Sequence, residues 1–424
     1  MPAPGALHAP RALPGEIRRA RLDNGLEICV VRNPQAPIVT SALFYRVGTR
    51  DEAPGRGGLA HFLEHLMFKG SERYGPGEID RLTQALGGAN NAFTSHDLTA
   101  YWFSFAADRW TQALTIEADR MRGLRLDPAE VDSERNVVLE EIAMYRDEPW
   151  DALELEVQAA LFPGHPYGRP VLGTPEELRS IDSAVLAEFH ARHYRPGNAI
   201  LVLAGDVEPE AERRVEEAFG ALAGVAPART VPEPGAGPGG ALRIERRHGE
   251  VARWLVALPA PRPDTAAHAG LRLLATALAE GRSSRLHRSL IDEEELCLTI
   301  SASLAETEAS SHFTIAAELV PGADVGEVEA RILAELARLR EEPMPEAELE
   351  RAKRLFQAEW AYEIERIHEQ AVVAGTALTL FDLEQPDRQL AVALAAEPGE
   401  LARLAKAHLD VAAGSVTGVS LPVA

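Results

Sequence analysis

Two histidines and a glutamate, His61, Glu64 and His65, stand close together in the segment GGLAHFLEHLMFKG. On a helix, at about 100° per residue, His65 lies about 40° from His61, and Glu64 lies about 60° to the other side. All three side chains then share an arc of roughly 100°. Two imidazoles one turn apart suit adjacent corners of a tetrahedral Zn²⁺, and the carboxylate between them reaches a water at the same place. The order H-x-x-E-H is the reverse of H-E-x-x-H. Taken alone, such a string also arises by chance in a helix that contains histidine. The surroundings weigh against chance: Leu59, Phe62, Leu63 and Leu66 make the helix largely apolar. Two His and one Glu facing a packed interior are costly unless bonded or liganded.

A third ligand must come from elsewhere. The stretch VDSERNVVLEEIAMYRD offers Glu134, Val138, Glu141 and Tyr145 at i, i+4, i+7 and i+11, one helical face. Glu140 points about 100° away. Two acids on one face fit a metal ligand plus a carboxylate that orients a ligating histidine. Without the histidine motif the same pattern reads as a solvated acidic stripe.

These residues need elements to hold them. Segments 26–31, 38–47, 91–94, 99–106 and 199–207 read as strands. Helices are expected near 58–68, 77–86, 110–124 and 129–146. Asp127-Pro128-Ala129-Glu130 starts the last of these, with a capping acid, a first-turn proline and a glutamate three residues after the cap. Residues 226–240, APARTVPEPGAGPGG, have no hydrophobic period and read as a linker. The chain thus divides into a zinc-binding N-terminal domain (1–225), the linker (226–240) and a C-terminal domain (241–424). After the linker come strands at 254–258, 296–304 and 312–319, a helix at 268–278 and three later helical stretches. The order strand, helix, small-residue turn, helix, strand occurs in both parts, which points to an internal duplication. The fold class is α+β: two similar sandwich halves with largely antiparallel sheets.

The bulk numbers exclude several classes. Over 424 residues, 46% are hydrophobic and 25% charged, the balance of a folded chain. A net charge of -22 argues against nucleic acid, whose phosphates need a basic surface. No run reaches the roughly 18–20 apolar residues of a membrane span. The N-terminus lacks the charged and apolar regions of a signal peptide, so the chain reads as cytoplasmic as written, or periplasmic if a leader was removed. Cys29 and Cys297 sit in apolar runs and read as buried thiols, too few for a cysteine metal site.

The motifs resemble those of the M16 zinc peptidases, the inverzincins. The resemblance runs through RVGTRDE, GGLAHFLEHLMFKG, NNAFTSHDLTAYW, ERNVVLEEIAMYRDEPW, FPGHPYGRPVLGT and FHARHYRPGNAILVLAGDV. It implies a metalloendopeptidase acting on peptides and unfolded segments. It implies a third zinc ligand about 75 residues after the second His. Glu141, with 75 residues between it and His65, fits that position better than Glu140. Glu134 becomes a supporting residue and Glu64 the base that takes a proton from water. Asn91, Ala92, Phe93 and Thr94 resemble the edge strand to which a substrate adds by main-chain hydrogen bonds.

One family feature is missing. Active M16 shells use an Arg and a Tyr seven residues apart, after an SSRL turn, to stabilise the developing oxyanion. The turn is present at 283–286, but Ile291 and Leu298 occupy the Arg and Tyr positions, and the C-terminal part has only Tyr362. A second M16-like chain supplying those donors, in a heterodimer, is therefore expected. A self-sufficient homodimer would need another donor, such as Arg285, Arg288 or His287. A structural subunit with a decayed site is disfavoured by the intact His61, Glu64, His65 and Glu141.

Overall fold

The computed structural model describes residues 13–225, 227–235 and 237–423. Residues 1–12, most of the segment judged for a leader, lie outside the described residues, as do Ala226 and Ala236 of the expected linker.

The first half is built from strands β1 (Glu16–Arg21), β2 (Glu27–Arg32), β3 (Ile38–Tyr45), β4 (Ala89–Thr94), β5 (Thr99–Ala106) and β6 (Ala199–Gly205). Its helices are α1 (Leu59–Leu66), α2 (Glu78–Ala85), α3 (Thr111–Gly123), α4 (Pro128–Asp147), α5 (Pro149–Leu161), α6 (Pro175–Ser180), α7 (Ser183–His193) and α8 (Ala211–Phe219). The second half has β7 (Ala241–Arg247), β8 (Arg253–Ala260), β9 (Cys297–Leu304), β10 (Ser311–Leu319) and β11 (Ser415–Leu421). Its helices are α9 (Ala266–Ala279), α10 (Arg285–His287, running into a wide π turn), α11 (Val325–Glu341), α12 (Glu346–Glu363), α13 (Ile367–Leu380), α14 (Gln385–Ala395) and α15 (Pro398–His408).

The two sheets have the same plan. The first runs β1-β2-β6-β3-β5-β4 and the second β7-β11-β8-β10-β9. In each, the last strand of the half inserts into the sheet, β6 between β2 and β3 and β11 between β7 and β8, and pairs parallel with β2 or β7, while β1 is an extra edge strand on the first sheet. The other pairs are antiparallel. The expected duplication and the largely antiparallel pairing both hold.

The halves exchange one helix each. On one face of the first sheet, Leu43, Tyr45, Tyr101 and Leu203 pack with Phe62 and Leu66 of α1 and Val138 of α4. The other face, with Phe44, Ala42 and Val202, is covered by Ala371, Ala374 and Leu378 of α13, which comes from the second half. In return, Leu153, Val157 and Leu161 of α5 cover Leu255, Ala257 and Val416 of the second sheet. Both contacts need a missing side chain. A Cβ on Gly375 would meet Phe44 at 2.0 Å, and one on Gly418 would meet Val157 at 2.6 Å.

A buried ionic cluster ties the halves together. Arg50 Nη1 lies 2.6 Å from Asp97 Oδ1, and Arg50 Nη2 lies 2.6 Å from Glu308 Oε2 of the second half. Tyr167 Oη donates to Asp97 Oδ1 at 2.6 Å, and the Glu308 amide donates to Asp97 Oδ2 at 2.9 Å. Arg229, from the segment between the sheets, reaches Glu308 at 2.7 Å and donates to the Thr379 carbonyl at 2.7 Å.

The sequence reading missed β1, β7 and β11 and the helices α5, α6, α7 and α8, and five helices follow β10 instead of three. β1 (EIRRAR) and β7 (ALRIERR) are charged edge strands with little apolar alternation. β11 (SVTGVSL) has small and polar side chains, and it is buried because it inserts between β7 and β8.

Asp97→Ala removes the acceptor for Arg50, Tyr167 and the Glu308 amide. It should cost about 3–5 kcal/mol, as expected when one partner of a buried ion pair is lost. Urea unfolding should show a lower midpoint.

Candidate metal centre

α1 has only eight residues and could not hold itself. Its first turn is capped by Glu52, whose Oε2 accepts from Gly58 N at 3.0 Å and whose Oε1 accepts from Ala60 N at 2.8 Å. Burial pushes this carboxyl up to about 8, against the pull of the two amides. Gly58 enters the helix with φ 85°, and a Cβ there would meet the Leu172 carbonyl oxygen at 2.4 Å. The RVGTRDE and GRPVLGT segments thus fix where α1 begins. Phe62, Leu63 and Leu66 then seat it in the core, with α4 alongside.

That placement brings three donor atoms together. His65 Nε2 is 3.4 Å, and His61 Nε2 is 3.7 Å, from Glu141 Oε2. One donor atom from each of the three residues lies within 4.8 Å of the others. A tetrahedral Zn²⁺ with ligands at about 2.0–2.2 Å needs donors about 3.3–3.6 Å apart. Both contacts of Glu141 come within a few tenths of an ångström of that spacing, and a three-ligand set leaves a coordination position open. Glu140 is not part of the group.

The carboxylates around the group shape its charge. Glu134 Oε1 lies 2.9 Å from His65 Nδ1, the orienting contact a ligating imidazole needs. Burial lowers the pKa of His65, but its bonds to Glu134 and Glu141 prevail and lift it to about 9. His61 is driven the other way, to about 4, by burial and then by its neighbour His65. Glu141 is held below the usual carboxylate range, chiefly by its bond to His65. Burial raises Glu134, yet hydrogen bonds from His65 and Lys69 bring it below its ordinary value.

Glu64 sits beside them with its carboxyl raised by burial, opposed by a hydrogen bond from the Thr94 hydroxyl. That bond, Thr94 Oγ1 to Glu64 Oε2, measures 2.5 Å. All four residues open on a cavity of about 770 Å³. Its walls include Ala92, Phe93 and Thr94 of β4, Tyr145 of α4, Leu155 of α5 and Leu172. β4 is the edge strand of its sheet, so one side of its backbone faces away from the ladder.

The expected strand residues fare differently. Asn91 is not on the cavity wall, and its side-chain oxygen accepts from the Ala92 amide at 2.9 Å. The ring of Phe93 packs edge-on against Phe44 at 6.3 Å, on the sheet face turned toward α13. Thr94 spends its hydroxyl on Glu64. Sequence reasoning missed Glu52, the Thr94 contact, and Arg246, a β7 residue on the cavity wall whose Nη1 donates to Glu156 at 3.2 Å. The quoted RVGTRDE motif contained the signal for Glu52; nothing in the sequence pointed to Arg246.

Comparison with known proteins shows the family. Residues 27–175, which hold every donor above, match the family model "Insulinase (Peptidase family M16)", and residues 180–356 match "Peptidase M16 inactive domain". An uncharacterized zinc protease of Mycobacterium leprae is 33% identical over 327 residues, 75% of this chain and 73% of that one. The chain belongs to peptidase family M16. A crystal structure of a protease from Helicobacter pylori superposes with a TM-score of 0.90 at 25% identity, over 96% of this chain and 100% of that one. The periplasmic protease PqqL of Escherichia coli shares the fold at 18% identity, with a TM-score of 0.80. The match takes in 96% of this M16 chain but 48% of PqqL, so one chain here corresponds to about half of that molecule. Among the described residues, no helix is long and apolar enough to cross a membrane.

Glu52→Leu should leave the Gly58 and Ala60 amides without an acceptor. The expected loss is about 1–3 kcal/mol for each amide left unpaired, read from denaturant unfolding of the metal-free chain.

Proposed function

We propose that this chain is the metal-bearing subunit of a two-chain zinc endopeptidase that cleaves peptides and unfolded segments. The observation that carries the reading is the meeting of His61 Nε2, His65 Nε2 and Glu141 Oε2 beside Glu64, on a cavity bordered by an edge strand. The relatives named zinc protease support the choice of metal.

In this reading His61, His65 and Glu141 hold Zn²⁺, and Glu134 keeps Nδ1 of His65 protonated so that Nε2 offers its lone pair. The bound metal supplies Lewis acidity to the scissile carbonyl and to water. Glu64 accepts the proton of the attacking water and passes it to the leaving amine. A carboxyl already raised by burial is suited to both halves of that transfer. Thr94 fixes one oxygen of Glu64 and leaves the other for water. The peptide lies along the free edge of β4, where backbone pairing needs no particular side chain, which suits varied sequences.

The partner enters because the second half carries no oxyanion donors at the expected positions. Ile291 packs against the core of its own half, and Leu298 stands half-exposed on the edge strand β9. Of the substitutes a homodimer would need, Arg285 is bound to Glu348 at 2.6 and 3.0 Å, and His287 lies 3.7 Å from Asp292. Arg288 is near Glu293 at 3.4 Å. The correspondence of this chain to half of PqqL supports a shell completed by a second half.

Glu64→Gln should keep the metal and lower kcat by roughly 10²–10⁴, the range for a lost general base. Glu141→Gln should weaken zinc binding by more than the roughly 10–100-fold that an outer hydrogen-bond partner is worth. Metal analysis with a peptidase assay checks both, and full zinc retention by Glu141→Gln overturns the ligand assignment.

The chain alone should bind zinc and cleave poorly, and co-expression with a paired M16-like chain should restore turnover. The double substitution Ile291→Arg/Leu298→Tyr should raise the activity of the chain alone. Robust cleavage by the unaltered, partner-free chain would favour the homodimer instead.

A further inference from the structure

The segment that carries the two histidines also supplies a cation behind them. Lys69 follows His65 by four positions, so His61, His65 and Lys69 run along one stripe. The helix proper ends at Leu66, but the Lys69 amide donates to the Leu66 carbonyl at 3.0 Å and keeps the turn wound. Lys69 Nζ then lies 2.7 Å from Glu134 Oε2. The other oxygen of that carboxylate faces His65 Nδ1 at 2.9 Å. Glu134 is therefore gripped at both oxygens, by the imidazole it orients and by an ammonium from the same segment. Its side chain is only 6% exposed, while that of Lys69 is 35% exposed.

The two histidines are not treated alike. His61 Nδ1 is buried without a hydrogen-bond partner among the described residues. Orientation by a carboxylate acts through His65 alone. A carboxylate bonded through one oxygen can still turn about its last torsion, which is broad and soft. Holding the second oxygen fixes its plane and so fixes the direction of the acceptor that His65 meets. Lys69 also offsets one negative charge at the back of a site already crowded by Glu64 and Glu141, leaving the uncompensated charge where the donors meet.

We infer that Lys69 is a positioning residue of the metal centre: by holding Glu134 Oε2 it fixes the carboxylate that orients His65, without touching metal, water or substrate. The inference rests on the zinc reading of the site.

The test is zinc affinity of the full metal-free chain, measured by competition with a chromophoric chelator. The unaltered chain, Lys69→Met, Lys69→Arg, Glu134→Gln and the double variant Lys69→Met/Glu134→Gln are compared. Lys69→Met should weaken zinc binding by about 3–10-fold, less than the roughly 10–100-fold typical of a direct partner of a ligating histidine. Lys69→Arg should recover most of the loss. The double variant should bind no more weakly than Glu134→Gln alone, because the two act through one contact. Unfolding of the metal-free variants should match that of the unaltered chain, and Lys69→Gln stands in if Lys69→Met does not fold. Lys69→Met binding as tightly as the unaltered chain, or losing the same factor again when Glu134 is already Gln, overturns the inference. No zinc binding by the unaltered chain overturns the metal reading itself.

Discussion

An eight-residue helix carrying two histidines and a glutamate into an apolar core is the constraint on which this molecule turns. Such a helix is too short to persist in water, and its polar groups are costly to bury unless each finds a partner. Every neighbouring segment answers one of those needs. Glu52 takes up the first amides of α1. The 172–173 loop packs so close to Gly58 that no side chain would fit there. α4 runs alongside and delivers Glu134, to Nδ1 of His65, and Glu141, seven residues and two turns later, to Nε2 of both His65 and His61. Thr94, at the end of the edge strand, reaches Glu64.

The scaffold that fixes these segments is a duplicated unit whose copies have become dependent on each other. Apart from the extra edge strand β1, each sheet has the same strand order and the same parallel insertion of its last strand. Neither half covers its own sheet completely, because α13 crosses to the first and α5 to the second. The Arg50, Asp97, Glu308 and Arg229 cluster closes the junction with charges that are almost wholly out of solvent. Charges so buried add little net stability over apolar packing, but losing one partner is expensive, so they favour one relative placement of the halves. His96, next to Asp97 in sequence, lies on the cavity wall with its Nε2 bonded to the Arg169 carbonyl at 3.0 Å. The junction and the cavity are therefore contiguous. The duplication is unequal in chemistry: the His-x-x-Glu-His pattern appears on α1, while α9 of the second half carries a single histidine, His268, and no carboxylate.

Much of this was legible from sequence, for identifiable reasons. His61, Glu64 and His65 are local, so helical periodicity alone places them on one face. Glu134 and Glu141 share a face for the same reason. Strands β2, β3, β5, β6 and β10 were visible because their apolar residues are continuous or alternate in a half-buried sheet. The excess of acid over base argued against nucleic acid without any fold.

Contacts between distant segments were decided only by the tertiary structure. Which acid of α4 meets which nitrogen depends on how two helices lie side by side, and spacing along one of them does not report that. Thr94 read only as part of the substrate strand until β4 was placed against α1 and its hydroxyl was seen on Glu64. β11 is buried through its neighbours rather than its own small and polar side chains, so no periodicity announced it. Lys69 reads as an ordinary surface lysine until Glu134 is seen in front of it. Local pattern set the identity and facing of the reactive groups, because those follow from the geometry of a single helix. Their partners follow from packing between helices, strands and halves, which exists only once the chain has folded.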